Sequence, residues 1–154
     1  MAQRFTFRLQ TLLRVRELRE QQAKRAVAAK ASEISRLDAL NLQTQREIIA
    51  QQNALRDAQM GATLDPADLT RQRAWIAHLR RMTLQRLGDR QTLATQLLSL
   101  QDALRVARSE TQALEKLRER RFDEWKRARN LREQAESEEL AQQMHEAGRD
   151  RIDA

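Results

Sequence analysis

The chain has 154 residues, of which 33% are charged and only 3% are aromatic, and its formal net charge at pH 7 is +7. It contains no cysteine, which excludes disulfide bonds and thiolate metal sites. Alanine, leucine, glutamine, glutamate and arginine dominate the composition, which is typical of long helices and coiled coils. We expect no membrane-spanning helix and no secretory signal, because no stretch has the roughly 18 consecutive apolar residues that a spanning helix needs.

Residues that interrupt helices are rare, and two of them mark a hinge. The chain has one proline, Pro66, and three glycines, of which Gly61 lies five positions before that proline. Asp65 is a good N-cap, and Pro66 suits the first helical position because its missing amide donor is not needed there. The sequence therefore predicts a helix over about 6–59, a hinge at about 60–65, a second helix over about 66–146 and a frayed C-terminal tail.

Each predicted helix carries an apolar stripe with coiled-coil spacing. In the first helix, Glu20 and Asn41 interrupt one seven-residue register whose apolar members are Leu13, Val27, Ile34, Ile48 and Leu55. The companion register three residues further on is mostly polar. In the second helix, steps of four and three residues alternate through Leu93, Leu97, Leu100, Leu104, Ala107, Thr111 and Leu114.

A short hinge between two apolar stripes favours an antiparallel arrangement. The predicted fold is therefore all-α: a long antiparallel two-helix coiled-coil hairpin, one domain over residues 1–154, with the second helix longer than the first. A parallel homodimer is the competing arrangement, and the hinge argues against it. The pairing predicts that Phe5 lies near Arg121 and Ile49 near Trp75, and that the end of the second helix lacks a partner.

The sequence offers no constellation for catalysis or metal binding. His78 and His145 each lack a second ligand at metal-binding spacing, and the glycines are too far apart to form a phosphate loop. The serines have no histidine and aspartate partners, and a two-helix hairpin encloses no pocket. We expect no enzyme activity, no cofactor, no metal and no small-molecule ligand.

Basic residues are concentrated in two segments of the chain, and this charge is compatible with several kinds of binding partner. Residues 1–31 and residues 71–108 each carry eight basic and two acidic side chains. Such an excess attracts nucleic acid, anionic lipid or an acidic protein surface. One interpretation is therefore a basic coiled-coil nucleic-acid-binding protein, although aromatic side chains that stack on bases are few and no binding module is recognisable. A generic coiled-coil scaffold is another alternative.

The segment 5–14 is amphipathic and allows two interpretations. It carries arginines but no acidic residue, so it could touch anionic lipid or act as a transit peptide. The alternative that we favour is that its apolar side chains close the open end of the hairpin against Phe122 and Trp125.

Two blocks of the chain resemble the FliJ family of flagellar export proteins. The opening block runs from Phe5 to Glu17, as FTFRLQTLLRVRE. The closing block is LEKLRERRF at 114–122, followed by Glu133-Gln134 and by SEELA at 137–141. Members of this family often have Leu-Asp-Glu near the end, where this chain has Ser137-Glu138-Glu139. The likeness covers about 140 residues, and the chain is also similar to the YscO-like proteins of injection systems.

The resemblance implies a non-enzymatic stalk and coupling component of the bacterial flagellar type III export apparatus, and hence a role in motility. The implied partners are the hexameric export ATPase and the membrane export gate, with export chaperones as further candidates and no nucleic acid. The implied location is the cytoplasm, with peripheral association with the inner membrane through the export apparatus.

The resemblance also assigns a partner to each end of the hairpin. The residues implied to bind the export gate at the hairpin tip are Leu42, Gln45, Ile49, Trp75, Leu79 and Met82. The residues implied to bind the ATPase ring at the open end are Phe5, Phe7, Leu9, Leu12, Leu13, Arg16, Leu117, Arg121 and Trp125.

Overall fold

The chain forms a helical hairpin. The computed structural model describes residues 3–61 and 65–153, and within these ranges it contains two helices and no strand, α1 at Gln10–Met60 and α2 at Pro66–Ile152. The two helices pack against each other antiparallel, and α2 is the longer. The predicted fold class is therefore confirmed. The predicted hinge includes residues 62–64, which lie outside the described residues.

The start of α2 is capped as its sequence predicts. The backbone amide of Ala67 donates a hydrogen bond of 3.0 Å to Oδ1 of Asp65, and the amide of Leu69 donates to the Asp65 carbonyl at 3.1 Å. Asp68 places a negative charge in the first turn, where the helix dipole favours it. The bond from Ala67 satisfies an amide donor that a helix leaves without an internal partner, and the bond from Leu69 is the first backbone bond of the helix itself.

The other helix ends lie away from their predicted positions. Helix α1 begins at Gln10 and not near residue 6, because the residues before it adopt a non-helical conformation against α2. Helix α2 continues to Ile152, past the predicted end near 146, and Arg149 and Arg151 complement the helix dipole in its last turn. The assignment of residues 1–154 to one coiled-coil domain stays a prediction.

The chain divides into two compact units. The first unit comprises Met1–Arg19 and Arg108–Ala154, and the second unit comprises Glu20–Ala107. In the first unit, Leu13 and Thr111 are both only 2% exposed, and every residue from 126 to 153 is exposed. The core of that unit therefore lies near the start of α1.

The second unit is held by a seam of buried and half-buried residues with heptad spacing. On α1 the steps alternate between three and four residues, at Glu20, Ala23, Val27, Lys30, Ile34, Leu37, Asn41, Thr44, Ile48, Gln51, Leu55 and Ala58. On α2 the same alternation gives Leu69, Gln72, Ile76, Leu79, Thr83, Arg86, Arg90, Leu93, Leu97, Leu100, Leu104 and Ala107. The mostly polar register of α1 is thus half of its seam.

One heptad of this seam is polar and contains Asn41, Thr44, Arg86 and Arg90. These residues and Asp38, which lies beside the seam, are called the polar block. Nη1 of Arg86 donates a hydrogen bond to Oγ1 of Thr44 at 2.7 Å. Nε of Arg90 donates to Oδ1 of Asp38 at 2.6 Å, and this hydrogen bond and the carboxylate charge raise the pKa of Arg90. Asn41 is only 8% exposed, and its Oδ1 has no hydrogen-bond partner among residues 3–61 and 65–153.

The polar block should cost stability, because a buried acceptor without a partner costs about 1–3 kcal/mol. We predict that Asn41→Leu raises the free energy of unfolding by about 1–2 kcal/mol, since it removes that acceptor and adds apolar contact. Urea denaturation followed by circular dichroism at the helix band measures this change.

Gln43→Leu is the matched control, because Gln43 lies two positions away and is exposed. We expect this variant to change the free energy of unfolding by less than about 0.5 kcal/mol. A lower free energy of unfolding for Asn41→Leu than for the parent chain would contradict the prediction. It would mean that the Asn41 amide makes a stabilising hydrogen bond.

Candidate partner-binding sites

In the first unit, the residues before α1 form an arm, residues 3–9, which has no regular secondary structure over 3–7 and turns into the helix at Arg8 and Leu9. Phe5, Phe7 and Leu9 are half-buried, whereas the intervening residues Arg4, Thr6 and Arg8 are exposed. This alternation is typical of extended backbone, in which successive side chains point to opposite sides. The arm therefore presents one apolar side and one polar side.

The arm packs against an aromatic cluster on α2. The Phe5 ring meets Phe122 edge-on, with ring centroids 5.3 Å apart and an interplanar angle of 79°, and its centroid lies 5.9 Å from that of Trp125. Phe122 and Trp125 stack on each other at 5.8 Å, and the guanidinium of Arg129 lies 5.6 Å from the Trp125 ring centroid. The prediction that the N-terminal apolar residues close against Phe122 and Trp125 is confirmed.

Most residues assigned to the ATPase ring meet along this arm. Six of the nine line one open groove: Phe5, Phe7, Leu9, Leu117, Arg121 and Trp125. The same groove is lined by Arg4 and Arg8 and by Glu124, which pairs with Arg121, so its rim carries a net positive charge around an apolar floor. We call this surface the arm groove.

The other three residues assigned to the ring lie on α1. Leu12 is 40% exposed and accessible, whereas Leu13 is 2% exposed and belongs to the core. Arg16 is half-buried, and its Nη1 donates a hydrogen bond to Oε2 of Glu110 in an ion pair between the helices. Leu13 and Arg16 therefore hold the two helices of the first unit together.

In the second unit, the residues assigned to the gate do not form one continuous patch. Trp75 and Met82 each precede a seam residue of α2, and so does Asp89, one heptad after Met82. Asp89 lines a groove with Glu33 and Leu40, which precede seam residues of α1. Positions that precede the seam on the two helices therefore share one side. We call this side the tryptophan face; it includes Trp75, which is 44% exposed with its ring 5.5 Å from that of His78.

The remaining gate residues lie on the opposite side or within the seam. Leu42, Gln45 and Ile49 each follow a seam residue of α1, as Ala94 and Leu98 follow seam residues of α2. A helix turns by about 100° per residue, so positions before and after a seam residue flank it on opposite sides. Leu79 lies between the two sides, buried at 3% exposure. The register therefore does not join Ile49 and Trp75 in one patch, and the assignment of these residues to the gate stays a prediction.

Within residues 3–61 and 65–153, no group of three or more histidine, cysteine, aspartate or glutamate side chains is placed to hold a metal ion. In the same ranges, neither α1 nor α2 has a segment of the length and apolar character needed to cross a bilayer.

A comparison with known protein families identifies the chain. Residues 5–149 match the family described as Flagellar FliJ protein, which covers nearly the whole chain. The chain belongs to the FliJ family. Membership confirms the resemblance of the two end blocks and gives the chain a role related to flagellar export, in a family that is non-enzymatic. It does not favour the nucleic-acid-binding alternative. No curated protein and no solved structure matches the chain.

The contact of the arm with Trp125 gives a direct test of the arm groove. The chain has two tryptophans, so a Trp75→Phe background leaves Trp125 as the single emitter. We predict that Phe5→Ala in this background shifts Trp125 emission to longer wavelength and increases its quenching by acrylamide, because the ring loses its cover. Trypsin should also cleave faster after Arg4 and Arg8.

Thr6→Ala is the control for this experiment, because Thr6 belongs to the same arm but is exposed. It should leave emission and cleavage unchanged. Identical spectra for Phe5→Ala and its parent would show that the arm does not rest on Trp125 in solution.

Proposed function

We propose that this FliJ-family chain is a stalk and coupling component of the flagellar type III export apparatus. It binds the hexameric export ATPase through its first unit and the membrane export gate through its second unit. These contacts hold it at the cytoplasmic side of the inner membrane, and export chaperones are further proposed partners. The observation that carries the proposal is the arm groove, since it combines the residues before α1 with a segment of α2 into one accessible surface.

The chemistry of the arm groove suits a protein pore. In its apolar floor, Phe5 already packs against α2, and Phe7 and Leu9 are half-buried, so a partner does not have to order the floor on binding. Its basic rim attracts an acidic surface over a distance before contact is made. An apolar floor within a charged rim is also the usual anatomy of a protein interface.

The second unit offers the gate two different faces. Trp75 is the largest exposed aromatic side chain of that unit, and tryptophan is enriched among residues that dominate binding energy. Leu42 and Ile49, at 50% and 57% exposure, offer aliphatic contact on the opposite side. Leu79 is buried and therefore acts by packing beneath these residues and not by direct contact.

The two assignments predict separable defects. A Phe5→Ala/Trp125→Ala double variant should raise the concentration of the chain needed to stimulate its cognate export ATPase by about tenfold or more, which corresponds to about 1.4 kcal/mol. Trp75→Ala should leave this stimulation unchanged. The measurement is ATP hydrolysis by the ATPase titrated with each full-length variant, after circular dichroism has shown equal helicity.

Gate binding should respond in the opposite way. Trp75→Ala should weaken binding to the cytoplasmic part of the export gate about tenfold, measured by calorimetry, whereas the Phe5→Ala/Trp125→Ala variant should bind normally. Ile49→Ala, on the other face, reports whether the gate contacts both sides of the seam. Equal loss of ATPase stimulation and gate binding in both variants would defeat the assignment of the two units.

A further inference from the structure

Helix α2 carries a second line of mostly apolar residues beside the seam, and the leucines of this line are exposed. We call it the leucine stripe: Leu84, Leu87, Gln91, Ala94 and Leu98. Its steps alternate between three and four residues, as they do in the seam. Leu84 is 68% exposed, Leu87 is 50% exposed and Leu98 is 64% exposed.

The spacing of the stripe fits another helix. Alternating steps of three and four keep side chains on one side of a helix, where they interdigitate with those of a partner helix. The surface beside the stripe is open: a Cβ atom added at Gly88, which follows Leu87, would meet no atom of residues 3–61 and 65–153 within 4 Å. From Leu84 to Leu98 it spans about 21 Å of helix, so a partner segment of about four turns would cover it.

The charges along the same line point to an acidic partner. The same spacing continues the line towards the start of α2 through Arg80, Ala77 and Arg73. In the other direction it continues through Gln101 and Arg105. Arg105 already pairs with Asp102, whereas Arg73 and Arg80 make no ion pair within the described ranges of the chain. No acidic residue lies on the line between its two ends.

We propose that this line of α2 is a docking site for an acidic amphipathic helix of another protein. The apolar side of that helix packs on Leu84, Leu87 and Leu98, and its carboxylates pair with Arg73 and Arg80. This contact uses none of the residues assigned to the ring or the gate, although it lies on the same side of the seam as Leu42, Gln45 and Ile49. It makes the second unit the scaffold of a three-helix bundle.

Synthetic peptides test the proposal with the full-length chain. The probe is a fluorescent 28-residue peptide with leucines at alternating steps of three and four and glutamates on both flanks. The matched probe has the same leucines and replaces every glutamate with lysine. Fluorescence anisotropy should show that the glutamate peptide binds at least tenfold tighter and that added salt weakens its binding.

Variants of the chain locate the contact. Leu84→Asp/Leu98→Asp should weaken binding of the glutamate peptide tenfold or more, and Arg73→Glu/Arg80→Glu should reverse the preference between the two peptides. Leu131→Asp is the control, because Leu131 is 67% exposed but lies on α2 in the first unit. It should bind like the parent chain. All these positions are exposed, and circular dichroism checks that helicity is kept.

Three results would overturn the proposal. Equal affinity for the glutamate and lysine peptides would remove the role of charge. Binding unaffected by Leu84→Asp/Leu98→Asp would place the contact elsewhere. Self-association of the parent chain in analytical ultracentrifugation, abolished by the same variant, would show that a second copy occupies the stripe and not an acidic partner.

Discussion

The heptad register of the seam is the constraint on which the rest of the second unit depends. A helix cannot rotate at a single residue without breaking its hydrogen bonds, so the well-packed blocks at either end fix every position between them. Arg86 and Arg90 are therefore held at the seam, although they are charged. The same constraint turns Leu84 and Leu87 outwards. The polar block and the leucine stripe are two consequences of one register.

The polar block has a role that apolar residues could not fill. Leucines repeated every seven residues pack nearly as well after a slip of one heptad, so they specify register poorly. The bonds from Arg86 to Thr44 and from Arg90 to Asp38 exist in one register only. The unpartnered Oδ1 of Asn41 shows that this specificity is obtained at a cost in stability.

The features that follow from local chemistry could be predicted from the sequence. The leucine steps between Leu93 and Leu114 and the cap formed by Asp65 and Pro66 identify both helices and their hinge, because spacing and capping are local properties. The arm was harder to predict. Its alternation is short, and it is decided by Phe122 and Trp125, which are more than 100 positions away in the chain.

The arrangement of the candidate binding residues also could not be predicted from local sequence alone. Apolar residues near the hinge suggested one patch, but the side that each residue occupies depends on which register packs. The companion register of α1 is mostly polar, so its spacing does not identify it as half of the seam. Without that half of the seam, the sequence does not show that Leu42 and Trp75 lie on different sides. Leu84, Leu87 and Leu98 could have been found, because their spacing repeats that of the seam one position later.

In the first unit the apolar side of α2 is covered by the arm, which leaves a preformed groove for a structured partner. In the second unit the leucine stripe has no such cover, and a partner that meets it gains most by folding as a helix on contact.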